Sequence, residues 1–128
     1  MNYLLDTQVM IWMLTDPDAL GTKSRNIIGD GENVLYWSAV SYWELTVKLS
    51  LKKIKLSSSW SEQLEKEKKF NRIRDLPVHW HHCRQNESLP WHHRDPFDRL
   101  LICQAMTENF TLISKDHQFR EYPIPVVW

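Results

Sequence analysis

Short apolar runs alternate along this chain with longer segments of helical periodicity, and the alternation predicts a strand–helix succession. Asn2 to Leu5 reads as a buried strand, followed almost without a loop by a helix from Thr7 to Leu14. Thr15-Asp16-Pro17 signals a new helix start with proline at the first helical position, and another start falls at Thr22, ended by Gly29 to Gly31. Val34 to Trp37 reads as a strand and Ala39 to about Leu51 as a helix. The serine run 57–59 is the clearest break and opens a charge-rich amphipathic helix from Trp60 to Lys69. Arg72 to Val78 is a strand or extended link, His79 to Glu87 a helix, Pro96 to Glu108 a helix, Phe110 to Ser114 a strand, and Ile124 to Trp128 a short closing strand. Such an order implies a single α/β domain over residues 1–128, with a mainly parallel sheet covered by helices.

Composition narrows the class. At 128 residues the chain is long enough to bury a two- or three-layer core, and 42% hydrophobic with 25% charged residues is the balance of a soluble globular protein. The formal net charge is +0, so a polyanionic partner would have to be held by local patches and not by the field of the whole molecule. Two cysteines, Cys83 and Cys103, offer neither a disulfide framework nor a CxxC metal knuckle. The apolar N-terminus lacks a basic leader and is interrupted by Asp6, so it is read as strand and helix, not as a signal peptide. No stretch is long enough to span a bilayer, and a cytoplasmic location is the expectation.

What changes the picture is where the acids fall. Asp6 ends the first strand, Glu44 lies within the helix after the second, Asp98 lies in the first turn after Pro96, and Asp116 follows the strand 110–114. In open α/β sheets the carboxyl ends of the strands form the ligand-binding edge, and helices after those strands begin there, so the four acids converge. On a helical projection Val40, Trp43, Val47 and Leu51 form one apolar stripe, and Glu44 falls inside it. Local explanations compete at each position. Glu44 can pair with Lys48 four residues on; Asp95, Pro96 and Asp98 have the form of a helix N-terminus; Asp6 and Asp116 can cap the turns that follow them. None of these explains why all the acids meet at one edge. Carboxylates so gathered raise one another's pKa unless a cation compensates them. Mg²⁺ or Mn²⁺ takes oxygen ligands, keeps several waters and makes hydroxide available near neutral pH, which suits phosphodiester hydrolysis.

These residues resemble PIN-domain ribonucleases of the VapC type, the toxin half of bacterial type II toxin–antitoxin pairs. The resemblance runs through LLDT (4–7), SAVSYWEL (38–45), LPWHHRDPFDRLLICQA (89–105), LISKD (112–116) and the terminal VVW, with HRDPFDR (93–99) pointing to a subgroup. It implies a three-layer α/β/α fold and metal-dependent endonuclease action on RNA. By motif, Asp6, Glu44 and Asp98 match the family's three core acids, Asp116 its more variable fourth, and Asp95 the subgroup's extra acid, structural or beyond the direct ligands. Thr7, Ser41 and Ser114 are similar to hydroxyl residues beside those acids that orient carboxylates or waters. The expected partners are RNA, a cognate antitoxin whose C-terminal segment blocks the site, and a second copy of the chain. The sequence departs from the family where LTVKLSLKKIKL lacks the glycine that often follows the lysine-containing helix, and in the run HWHHC at 79–83.

Other features carry competing readings. His79 with Cys83 is the one pair in the HWHHC run suited to a transition metal, against a plain polar helix face. His92 and His93 adjoin the acid motif, where a phosphate contact or a general-acid role competes with a structural one. Lys48, Lys52, Lys53 and Lys55, and then Lys66, Lys68, Lys69, Arg72 and Arg74, are either solvated faces or a path for RNA. Trp12, Trp37, Trp43 and Trp60 are mostly core candidates, with an apolar groove or dimer surface on the early helices as the alternative. The rival to catalysis is a PIN-like module that only binds RNA or protein, and a DNA nuclease or phosphatase would share the metal chemistry.

Overall fold

The computed structural model describes residues 1–128. Five strands, β1 (Asn2–Leu5), β2 (Val34–Ser38), β3 (Ile73–Leu76), β4 (Thr111–Ile113) and β5 (Val126–Val127), form one sheet in the order β3-β2-β1-β4-β5. Every pairing is parallel. The helices are α1 (Thr7–Thr15), α2 (Thr22–Gly29), α3 (Ala39–Ser50), α4 (Trp60–Phe70), α5 (Trp80–Arg84) and α6 (Pro96–Glu108).

Alternation along the strands divides the interior into two cores, as it must when both faces of a parallel sheet are covered. Tyr3, Leu5, Leu35, Trp37 and Ile113 face one cluster, which includes Met10 and Val9 of α1 and Leu64 of α4. Leu4 and Leu112 face the other, with Leu101, Ile102 and Ala105 of α6. This is the three-layer α/β/α arrangement that the resemblance implied.

Strand order reverses at β1. The chain runs outward from β1 through β2 to β3, then returns to place β4 on the other side of β1. The crevice over the carboxyl ends of β1 and β4 is therefore the switch point, where open α/β sheets bind ligands. Two links fix the helices that border it. Ser38 caps α3, its Oγ accepting from the Val40 N–H at 3.0 Å, and donates to Gln104 Oε1 of α6. Gln104 Nε2 in turn donates to the Pro77 carbonyl at 3.2 Å, just past β3.

Several boundaries differ from the periodic reading. The segment after Pro17 is a three-residue 3-10 turn, Pro17–Ala19, and the helix expected over 79–87 stops at Arg84, giving way to a 3-10 turn, Gln85–Ser88. The closing strand shrinks to Val126–Val127. The missing glycine after α3 has a structural counterpart: Lys52 takes a left-handed φ of 57°. Lys53 N–H reaches the Lys48 carbonyl at 2.9 Å and Lys52 N–H the Leu49 carbonyl at 3.1 Å, a Schellman closure that glycine usually makes. Asn109 performs the same turn after α6 at φ 59°. No helix is long and apolar enough to cross a membrane.

Candidate metal centre

Asp6 continues β1 by one residue, its N–H donating to the Ile113 carbonyl at 3.0 Å, so it emerges beside Ser114 at the end of β4. Ser114 Oγ donates to Asp6 Oδ2 at 2.8 Å and accepts the Asp116 N–H at 3.0 Å. One hydroxyl thus orients the first acid and the loop that carries the fourth. Asp6 precedes α1, yet its side chain makes no capping hydrogen bond, so the cap reading fails there. Asp116 does cap, accepting from the Gln118 N–H at 2.9 Å, and still faces the crevice.

Glu44 comes from α3 and Asp98 from the first turn of α6, which starts at the carboxyl edge because it runs back toward the start of β4. Asp95 caps α6, its Oδ1 accepting from Phe97 N–H at 2.9 Å and Asp98 N–H at 3.0 Å. The cap belongs to Asp95, and the Asp98 carboxylate is left free to face the crevice. Asp6, Glu44, Asp95, Asp98 and Asp116 line one cavity of about 360 Å³ together with Thr7, Gln8, Trp12, Lys48 and Lys115.

Five carboxylates against two lysines leave an uncompensated negative site. Burial, opposed by the Ser114 hydrogen bond and reinforced by Glu44, lifts the Asp6 carboxyl from 3.8 to about 6. Burial, then the charges of Asp95, Asp6, Glu44 and Asp116, lifts Asp98 to about 8. Lys48 Nζ pairs with Glu44 Oε2 at 3.1 Å, so the pairing expected of Glu44 and its place in the acid cluster both hold. Lys115, next to Asp116 in the SKD run, was not singled out from sequence; its adjacency to that acid was the available signal.

Of the stripe used to find Glu44, only Val40 is buried. Trp43 is 64% and Leu51 59% exposed, while α3 turns Val40, Ser41, Glu44 and Leu45 inward. Trp43 is accordingly no core residue. Ser41 is buried, but its Oγ has no partner and it does not line the cavity; His93 does not line it either, its ring packing on Tyr122 at 5.3 Å. Among the basic stretches, Lys48 alone reaches the acids.

The histidine run makes a different group from the pair expected. His81, His82 and Glu108 bring ligand atoms within 4.8 Å of one another, whereas Cys83 stands exposed. His82 Nδ1 accepts the His79 backbone N–H at 3.0 Å, which places the ring proton on Nε2, donated to Glu108 Oε1 at 2.8 Å. A metal at Nε2 would force that proton onto Nδ1, against the backbone N–H, so the group ties α5 to α6. The His82 hydrogen bond holds the Glu108 carboxyl below its ordinary value.

The model of the PIN domain family matches residues 3–125. Among solved structures, VapBC2 from Rickettsia felis bound to a DNA fragment from its promoter has a chain that matches with TM-score 0.72 at 18% identity, covering 99% of this chain and 98% of that one. VapBC-1 from nontypeable Haemophilus influenzae matches with TM-score 0.67 at 16% identity, covering 99% and 97%. FitAcB from Neisseria gonorrhoeae matches with TM-score 0.60 at 19% identity, covering 98% and 96%. No curated protein sequence matches the chain. With nearly its whole length matched by the family model and its acids gathered at the β1/β4 switch point, the chain belongs to the PIN domain family.

Proposed function

We propose that this protein is a Mg²⁺- or Mn²⁺-dependent endoribonuclease of the VapC type, acting in the cytoplasm as the toxin of a type II toxin–antitoxin pair. The observation that carries this reading is that acids from four separate elements, Asp6, Glu44, Asp98 and Asp116, line one open cavity at the sheet's switch point. The donor set fits a hard divalent cation: carboxylate oxygens throughout, with two carboxyls lifted to about 6 and about 8 by burial and by the neighbouring acids.

Bound there, such a cation supplies Lewis acidity toward a phosphodiester and a source of hydroxide near neutral pH. The chain's own residues do the rest. Asp98, Asp116, Asp6, which Ser114 aims, and Glu44, which Lys48 holds in place, would hold the cation through their carboxylate oxygens. Lys48 and Lys115 face the same space and meet the charge of an RNA phosphate, as a nuclease of zero net charge requires. The similar folds of VapBC and FitAcB chains support an antitoxin as partner, and the proposal includes a second copy of the chain.

Incubating the purified chain with mixed-sequence RNA tests the reading. Cleavage is expected with Mg²⁺ or Mn²⁺, stopped by EDTA and reduced by orders of magnitude in Asp6→Asn and Asp98→Asn proteins that remain folded. RNA binding without cleavage would make it a non-catalytic module, and cleavage of DNA alone would change the substrate.

A further inference from the structure

Beside the acids lies a second cavity, of about 260 Å³, lined by Asn86, Trp91, Arg94, Pro96 and Arg99 among others, with two arginines and no carboxylate. The two linings meet at consecutive residues, Asp95 facing the acidic cavity and Pro96 its neighbour. Trp91 is 67% exposed, yet its ring is held from below: the Arg99 guanidinium lies 3.5 Å from the ring centroid. Arg99 is itself 3% exposed and fixed by neutral oxygens, with Nε on Asn86 Oδ1 at 3.0 Å, Nη1 on the Pro90 carbonyl at 2.8 Å and Nη2 on the Leu89 carbonyl at 3.1 Å. A large apolar ring pinned on one face and bare on the other is a stacking surface already organised before anything binds.

The geometry points to Trp91 as a base-stacking platform for single-stranded RNA, receiving the unpaired base that flanks the phosphodiester held at the acids, with Arg94 beside it for the backbone. This rests on the ribonuclease reading and adds to it a positioning surface for the base next to the cut. Three observations favour a nucleotide as occupant. The lining is positive where the acidic cavity is negative, matching a phosphate chain that leaves the loaded metal site. Arg99 already fills the cation side of the indole, so a second cation across the ring meets a fixed like charge. The linings also adjoin, so one strand can occupy both. Trp91 stands before HHRDPFDR in sequence, at the head of the same segment that delivers Asp98.

The test is binding of a fluorescein-labelled, mixed-sequence single-stranded RNA to the full chain carrying Asp98→Asn, which prevents cleavage, alone and with Trp91→Leu or Trp91→Phe added. A single base stacked on an aromatic ring contributes roughly 5- to 150-fold in affinity, so Trp91→Leu is expected to weaken binding within that range and Trp91→Phe to restore most of it. An abasic RNA of the same length should bind the parent as weakly as intact RNA binds Trp91→Leu, and should not sense the substitution. The abasic arm stands even if Trp91→Leu disturbs the fold. Equal binding of intact RNA by all three proteins, or of intact and abasic RNA by the parent, would overturn the platform and leave the nuclease reading intact. Unchanged RNA binding with lost self-association in Trp91→Leu would assign the surface to a protein contact instead. A parent that binds no RNA would sink both.

Discussion

Ser114 Oγ lies 2.8 Å from Asp6 Oδ2, joining residues 108 positions apart at the ends of the two strands that flank the switch point. The hydroxyl favours the ionised carboxylate, opposing the burial that lifts Asp6 to about 6. Ser114→Ala should therefore raise that carboxyl further. It is expected to weaken Mn²⁺ binding by about 10-fold and to cost about 1 kcal/mol of stability. Titration calorimetry and chemical denaturation measure the two effects separately, and unchanged Mn²⁺ affinity would count against Ser114 as the residue that aims Asp6.

Asp95 and Asp98 divide the work of the α6 N-terminus, and substitution should separate them. Asp95→Ala removes the acceptor for two backbone N–H groups and should destabilise the chain by about 1 kcal/mol, whereas Asp95→Asn keeps an amide oxygen in that place and should keep most of the stability. Asp98 accepts no capping bond, so Asp98→Asn should leave metal-free stability equal or higher while removing Mn²⁺ affinity. Denaturation midpoints of these variants and of Asp98→Ala decide this, and a loss of about 1 kcal/mol in Asp98→Ala would return the cap to that residue.

Most of this arrangement was legible because its signals are local. A short apolar strand ending in an acid, and Pro96 opening a helix, each fix a place on the sheet edge without knowledge of the rest of the chain. What failed needed tertiary contacts. Glu44 was located through a stripe of which only Val40 is buried, because α3 spends its inner face on Val40, Ser41, Glu44 and Leu45 and leaves Trp43 and Leu51 exposed. The helix expected over 79–87 breaks after Arg84 because Arg99, from the next helix, gathers Asn86, Leu89 and Pro90 around its guanidinium. Periodicity registers neither the cavity beside α3 nor that long-range arginine.

Stability of the metal-free chain should fall as pH rises. Asp6 and Asp98 have folded values of about 6 and about 8 against an ordinary 3.8, so the folded chain keeps protons that the unfolded chain has released. Their contribution is fully present below about pH 4 and is lost progressively through about pH 8. Mn²⁺ competes with those protons, so the rise in Tm that it causes should grow over the same window. Thermal scans across that range with EDTA or Mn²⁺ check both slopes; a metal-free Tm that climbs toward pH 8 would contradict the assignment.

Lys52 bears the cost of a left-handed backbone at the end of α3, where φ is 57°. Lys52→Gly should stabilise the chain by roughly 0.5–1 kcal/mol, net of the extra freedom glycine gains when unfolded. Denaturant midpoints measure it, and a loss would mean that the Lys52 side chain makes contacts worth more than the strain.

The central claim is that Asp6, Glu44, Asp98 and Asp116 hold a divalent cation together. Mn²⁺ titration of the full chain, followed by the electron paramagnetic signal of free Mn²⁺ near pH 8, addresses it without any RNA. Saturable binding by the parent, weakened by about 10-fold or more in each of Asp6→Asn and Asp98→Asn, is the predicted result. Binding that is equal in parent and both variants, or absent from all three, would contradict it.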